Sequence, residues 1–73
     1  GASNLVIDLS AVPFMDSAGM AVLVSALKRA RGAGGDVKLV WPKAEAARRI
    51  LNLTQLDRVF GMAESAAEAV KGF

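Results

Sequence analysis

The hydrophobic period of this chain switches several times within a short length, and that alternation constrains the fold more than any other feature. "NLVIDL" (Asn4 to Leu9) is nearly continuous in apolar and β-branched residues. That is the pattern of a strand covered on both faces of a parallel sheet. "SAVPF" breaks the run, because Pro13 carries no backbone donor. From Ser17 the period becomes helical: Met20, Leu23, Val24 and Leu27 fall at i, i+3, i+4 and i+7. Lys28, Arg29 and Arg31 occupy the last turn, where cations meet the negative end of the helix dipole. "GAGG" then ends the helix, since glycine accepts the left-handed conformation at a C-terminus. "DVKLVW" (Asp36 to Trp41) returns to a strand pattern. Pro42 suits the first position of a second helix, which "AEAARRIL" continues with Ala47, Ile50 and Leu51 inward. "LTQLDRVFGM" reads as a helical turn at Thr54 to Asp57 and a short strand at Arg58 to Met62, and "ESAAEAVKGF" reads as a closing helix. Strands alternating with helices predict an α/β fold, a small and mainly parallel sheet with right-handed crossover helices.

Composition narrows the chemistry. The chain has 73 residues, enough for one small domain spanning residues 1–73. It has no cysteine and no histidine. A disulfide framework, a thiolate metal site and a Ser-His-Asp triad are thereby excluded. The net charge of +2 is small and spread over helix ends, which does not point to nucleic acid. No apolar run reaches the roughly 18 residues of a spanning helix, and no signal-peptide pattern opens the sequence. The expected setting is the cytoplasm, with no direct insertion into a membrane.

Four candidate sites can be weighed on local chemistry. "GAGGD" has the glycines of a phosphate loop, but it follows a helix and precedes a strand, the reverse of what a dinucleotide loop needs. It is a helix-ending turn. "DSAG" is no nucleophile elbow, because Met15 stands where that motif needs glycine. Arg48 and Arg49 read as the solvated face of an amphipathic helix rather than an anion site. Asp8 lies at the carboxyl end of a strand, where α/β sites gather, yet it can equally anchor the following loop. No second carboxylate, histidine or cysteine clusters beside it to hold a metal. A small enzyme using Asp8, Asp16 and Ser17 would lack both a base and a cofactor loop, so no catalytic residue and no cofactor is assigned.

The junction "MDSAG" holds more than a cap requires. Either Asp16 or Ser17 can accept a bond from an orphan donor of the helix, worth about 1 kcal/mol. Two candidate caps stand together, and Ala18 and Gly19 leave the first turn bare. Beyond them Ala18, Ala21, Val22 and Ser25 form an uncharged second face. A helix uncharged nearly all round its first turns is either buried or covered by a partner.

Taken together, "LVIDLSAVPFMDSAGMAVLVSALKRARGAGGDVKLV" and "ARRILNLTQLDRVF" resemble the sulphate transporter and anti-sigma factor antagonist (STAS) family, in particular its bacterial anti-sigma factor antagonists. The likeness runs from Leu5 to about Val70. It implies a transcription regulator that binds a protein and is not an enzyme. The partner would be an anti-sigma factor that is also a serine kinase. In that family the serine directly after the aspartate is phosphorylated by this partner, and the position here is Ser17. Asp16 and Gly19 also match the motif, and Asp16, Ala18, Gly19, Met20 and Val22 are the expected partner-binding residues. The unphosphorylated protein would capture the anti-sigma factor, and the phosphoprotein would let go. A second family role, a scaffold subunit of a membrane-lipid transport complex, would use the same fold without the phosphate.

The resemblance has three departures. The family domain begins with two strands and a helix before "LVIDLS", so the chain corresponds to the C-terminal two-thirds of that domain, N-terminally truncated. The strand at Leu5 to Leu9 would then be buried on both faces but lack a neighbour on one edge, and the chain would pair through that edge with a second copy, as a homo-oligomer, or with N-terminal residues outside this sequence. Ala18 stands where a second serine or threonine is common, which leaves Ser17 alone. Gln55 occupies a position usually held by glycine, and a positive φ there would strain it.

Overall fold

A computed structural model describes residues 4–73 of the chain. Three strands, β1 (Leu5–Asp8), β2 (Val37–Val40) and β3 (Gly61–Ala63), form one sheet in the order β1-β2-β3 with both pairings parallel. Helix α1 (Ser17–Gly32) connects the first two strands. Helices α2 (Glu45–Leu53) and α3 (Leu56–Val59) connect the second to the third, and α4 (Ala66–Lys71) closes the chain. The expected α/β architecture is therefore present, with the helical turn expected at Thr54 to Asp57 formed slightly later as α3.

The register assigns the faces. Leu5 lies opposite Val37, and Ile7, Leu39 and Met62 form a row, so these side chains share one face of the sheet. Against that face pack Leu23, Leu27 and Ala30 of α1 and Ala47 and Leu51 of α2, in one buried cluster with Val37, Leu39 and Phe60. The residues that the helical period sends inward on α1 include Ala30, which continues the stripe of Leu23 and Leu27 one turn further. Val6, Lys38 and Gly61 form a row on the opposite face, followed by Asp8, Val40 and Ala63. Helix α4 covers this face with the fully buried Ala69, and the Lys38 ammonium lies 4.9 Å from the centre of the Phe73 ring. A β-carbon at Gly72 would meet that ammonium, which lies at the far end of a flexible side chain and would have to move aside.

"GAGG" ends α1 in the way its glycines predict. Gly34 has φ 86°, its N–H donates to the Arg31 carbonyl at 3.1 Å, and the Gly35 N–H donates to the Ala30 carbonyl at 2.8 Å. This pair of bonds satisfies two orphan carbonyls at once. Arg31 then ties the helix end to the neighbouring segments, with Nε 3.3 Å from Asp36 Oδ1 and a guanidinium N–H donating to the Val59 carbonyl at 3.1 Å.

Four local expectations are corrected. The strands are shorter by about one residue at each end. Helix α2 starts at Glu45, and Pro42 is buried in the connection before it rather than at its first position. Its packing there leaves Ala44, with extended backbone, as the residue preceding the helix. The segment after Thr54 forms α3 and then β3, later than the predicted turn and strand. Gln55 takes a left-handed conformation (φ 61°, ψ 18°) that separates α2 from α3, and the Phe60 N–H donates to the Leu56 carbonyl at 3.0 Å to close the helical turn. Last, β1 is not buried on both faces. Leu5 and Asp8 are exposed, Val6 and Ile7 are half-buried, and β1 forms one edge of the sheet among the described residues.

Candidate functional site

Residues between β1 and α1 leave the carboxyl end of a sheet strand, where the sites of open α/β sheets gather. Two anchors shape this loop. Asp8 Oδ1 accepts the Ser10 N–H at 2.9 Å. Ser10, through its hydroxyl and then its backbone N–H, holds the Asp8 carboxyl below its ordinary range. Asp8 thus serves as the loop anchor, the quieter of its two readings. The second anchor is apolar: Leu9 and Met15 are buried and Val12 packs beside them. Between them Pro13 and Phe14 are pushed outward, and Phe14 is 64% exposed.

Met15 sets the conformation of its successor. With the Met15 side chain in the core, Asp16 has extended backbone (φ −113°, ψ 179°) and becomes the cap of α1. Asp16 Oδ1 accepts the Gly19 N–H at 2.8 Å. Ser17 is the first residue inside the helix, exposed, and its hydroxyl makes no hydrogen bond among the described residues. Ala18 is exposed and Gly19 half-buried. A β-carbon at Gly19 would meet only Asp16 Oδ1, at an ordinary 3.4 Å, so nothing among the described residues demands glycine there. Glycine inside a helix costs about 1 kcal/mol relative to alanine. The first turn is thus barer than its own packing requires.

Asp16, Ser17, Ala18 and Gly19 come together at this helix start. Met20 turns toward the core, where it packs against the buried cluster with part of its surface open. Val22 is 67% exposed and looks the other way, into a groove it shares with Leu5, Ala21, Ser25, Ala26 and Arg29. Of the two arginines of α2, Arg48 is engaged, 5.1 Å from the centre of the Trp41 ring and 3.8 Å from Glu64. Arg49 is exposed and has no carboxylate within ion-pair distance among the described residues. Sequence reasoning passed over Phe14. No local pattern marks it: the ring stays outside because Leu9, Val12 and Met15 take the places in the core beside it.

Among the described residues no group of three acidic, histidine or cysteine side chains could hold a metal ion, and no helix is long and apolar enough to cross a membrane. The arrangement offers a free hydroxyl at the positive end of a 16-residue helix, followed by the small residues Ala18 and Gly19.

The chain is 35% identical over 71 residues to a protein of Thermotoga maritima named "Putative anti-sigma factor antagonist", and 34% identical over the same length to the named homologue from Thermotoga neapolitana. In each case the match covers 97% of this chain and 62% of the relative, so the chain spans about three-fifths of the length of these proteins. No solved structure gives a significant match. The STAS domain matches residues 1–69, nearly the whole sequence. On that match, with the parallel sheet and the loop leading to the helix at Ser17, the chain belongs to the STAS domain family.

Proposed function

We propose that the chain is an anti-sigma factor antagonist module that captures an anti-sigma serine kinase and releases it when Ser17 is phosphorylated. The observation that carries this reading is the division of labour at the α1 start. Asp16 supplies the cap, so the Ser17 hydroxyl is spare, exposed and free to be modified without loss of a structural bond. The names of the two Thermotoga relatives point the same way. Asp16, Ala18, Gly19, Met20 and Val22 would contribute to the partner-binding surface.

The switch has a simple electrostatic form. A phosphate on Ser17 adds a charge of about −1.5 to −2 at the start of a helix. That end carries a positive partial charge and open N–H groups, so the helix accepts the anion and the domain stays folded. Release comes from the interface instead. The phosphate fills the space that Ala18 and Gly19 leave open, and with Asp16 beside it repels acidic groups of the partner.

Incubation of the chain with ATP and each anti-sigma serine kinase encoded in its source genome tests the reading. Mass spectrometry should place one phosphate on Ser17, and ATP should dissociate the complex. Ser17→Ala should bind and resist release, while Ser17→Asp should bind weakly with an unchanged melting temperature. Absence of phosphate on Ser17 with every such kinase would favour the constitutive scaffold role instead.

A further inference from the structure

Strand β1 leaves one side of its backbone without a partner among the described residues. The Leu5 and Leu9 N–H groups are spent on the Asp36 and Val40 carbonyls, on the β2 side. By the alternation of a strand, Asn4, Val6 and Asp8 therefore turn their N–H and C=O groups outward. Little protects this edge. Leu5–Asp8 contains no proline and no lysine, and it pairs with β2 in unbroken register, without a bulge to twist it away. Beside it lies an open groove of about 500 Å³, lined by Leu5 and by Ala21, Val22, Ser25, Ala26 and Arg29 of α1. Leu5 is 43% exposed, and Arg29 is the one charged residue of the lining.

What covers this side has to bring two things. It needs a strand, to bond the outward backbone groups, and apolar side chains on the α1 side of that strand. A second β1 brings both, because Leu5 and Ile7 share the α1 face of the sheet. Its direction follows from symmetry. Two identical edges can pair in parallel only with a one-residue stagger, which a two-fold axis does not give, whereas an antiparallel pair is its own mirror in register. An axis at Asp8 would set two carboxylates face to face. An axis at Ile7 would set Leu5 against Leu9, which is buried beyond the end of the strand. An axis at Val6 meets neither obstacle.

We propose that the chain forms a symmetric pair in which two β1 edges join antiparallel about a two-fold axis at Val6, giving one sheet continuous through both copies. Val6 then bonds Val6 of the second copy, and the backbone of Asp8 bonds that of Asn4, a carboxylate beside an amide. Leu5 lies opposite Ile7 of the second copy, in the closer kind of antiparallel pair. Leu5 and Ile7 from both copies thus make one apolar row beside the uncharged flank of α1. Val22 belongs both to this groove and to the surface proposed for the anti-sigma factor, so the two associations compete for it.

The test uses the whole chain. Sedimentation from about 1 μM to about 1 mM should show a monomer passing to a dimer. In a mixture of isotope-labelled and unlabelled chain, filtered NMR spectra should show the Leu5 α-proton of one copy close to the Ile7 α-proton of the other. Leu5→Lys and Val22→Glu, both at exposed positions, should each weaken dimerisation at least about tenfold without changing the fold. Ser17→Ala should leave dimerisation unchanged, which keeps this result separate from that of the switch. A monomer throughout the range would overturn the proposal, as would contacts between copies made through Leu53 or Phe73. Protection of the Val6 amide that does not depend on concentration would overturn it too, since another segment would then be covering the edge.

Discussion

Asp16 Oδ1 lies 2.8 Å from the Gly19 backbone nitrogen, and this one bond gives the carboxylate and the hydroxyl at the start of α1 different tasks. Asp16 satisfies the helix. Ser17, one residue on, is left with an exposed hydroxyl and no internal partner among the described residues.

The separation has a direct consequence for stability. Asp16→Ala should lower unfolding stability by about 1 kcal/mol, the usual value of a lost cap. Ser17→Ala should change it by less than about 0.5 kcal/mol, as for a surface substitution that breaks no bond. Urea denaturation of the two variants checks the pair. Equal losses would mean that the two side chains share the cap.

Gln55 is the one non-glycine residue with positive φ among those described. An L-residue with a β-carbon is strained in that region by about 1–2 kcal/mol. The side chain is exposed and makes no hydrogen bond among the described residues, so removing it forfeits little. Gln55→Gly should therefore stabilise the chain by about 0.5–1 kcal/mol, the strain relief less the extra freedom of glycine in the unfolded chain. Thermal and urea unfolding both read this, and a destabilised variant would show that the turn is not strained.

Asp8 makes part of the stability depend on pH. Its carboxyl titrates below the ordinary value of 3.8 because Ser10 donates to the charged form. A group with a depressed folded pKa stabilises fully above its unfolded value and stops doing so as the pH falls through its folded one. The loop anchor should hold above about pH 4 and fail in stronger acid. Asp8→Asn should flatten the melting temperature against pH between about pH 5 and about pH 2 by comparison with the parent chain.

The outer edge of β1 predicts association. The Leu5 N–H donates to the Asp36 carbonyl at 2.9 Å and the Leu9 N–H to the Val40 carbonyl at 3.3 Å, so both face β2. In a parallel pair the residues that face the neighbour alternate. Ile7 thus faces β2, and Val6 and Asp8 turn their backbone groups outward. Light scattering at micromolar concentration should show self-association of the 73-residue chain. Exchange of the Val6 amide should slow as concentration rises, while that of Ile7 stays slow throughout. A monomer with a strongly protected Val6 amide would refute the edge pairing.

Much of the fold was legible in the residues themselves. The change of period at Ser17 located α1, because a stripe at i, i+3, i+4 and i+7 has no other use. "GAGG" located its end, because only glycine takes the conformation at Gly34 without strain. The apolar runs at Leu5 and Val37 located two strands, and two strands with a helix between them make a parallel pair. The short segments were read less well. Four residues of α3 and three of β3 are too few for a period to declare itself, and Phe60, buried in the core cluster, lies at the junction between them.

Residue type and spacing along the chain were enough for the order of elements, the α/β class and the presence of a serine without an activating base. They could not say which of Asp16 and Ser17 caps α1. Both side chains can accept the bond, and the choice depends on Met15 reaching the core and setting the backbone after it. Packing also made Arg49 free and Arg48 engaged, since Trp41 and Glu64 come from other segments. The exposed place of Phe14 was settled in the same way. Distances between residues far apart in the chain arise from packing, and packing is a property of the whole core that no local pattern contains.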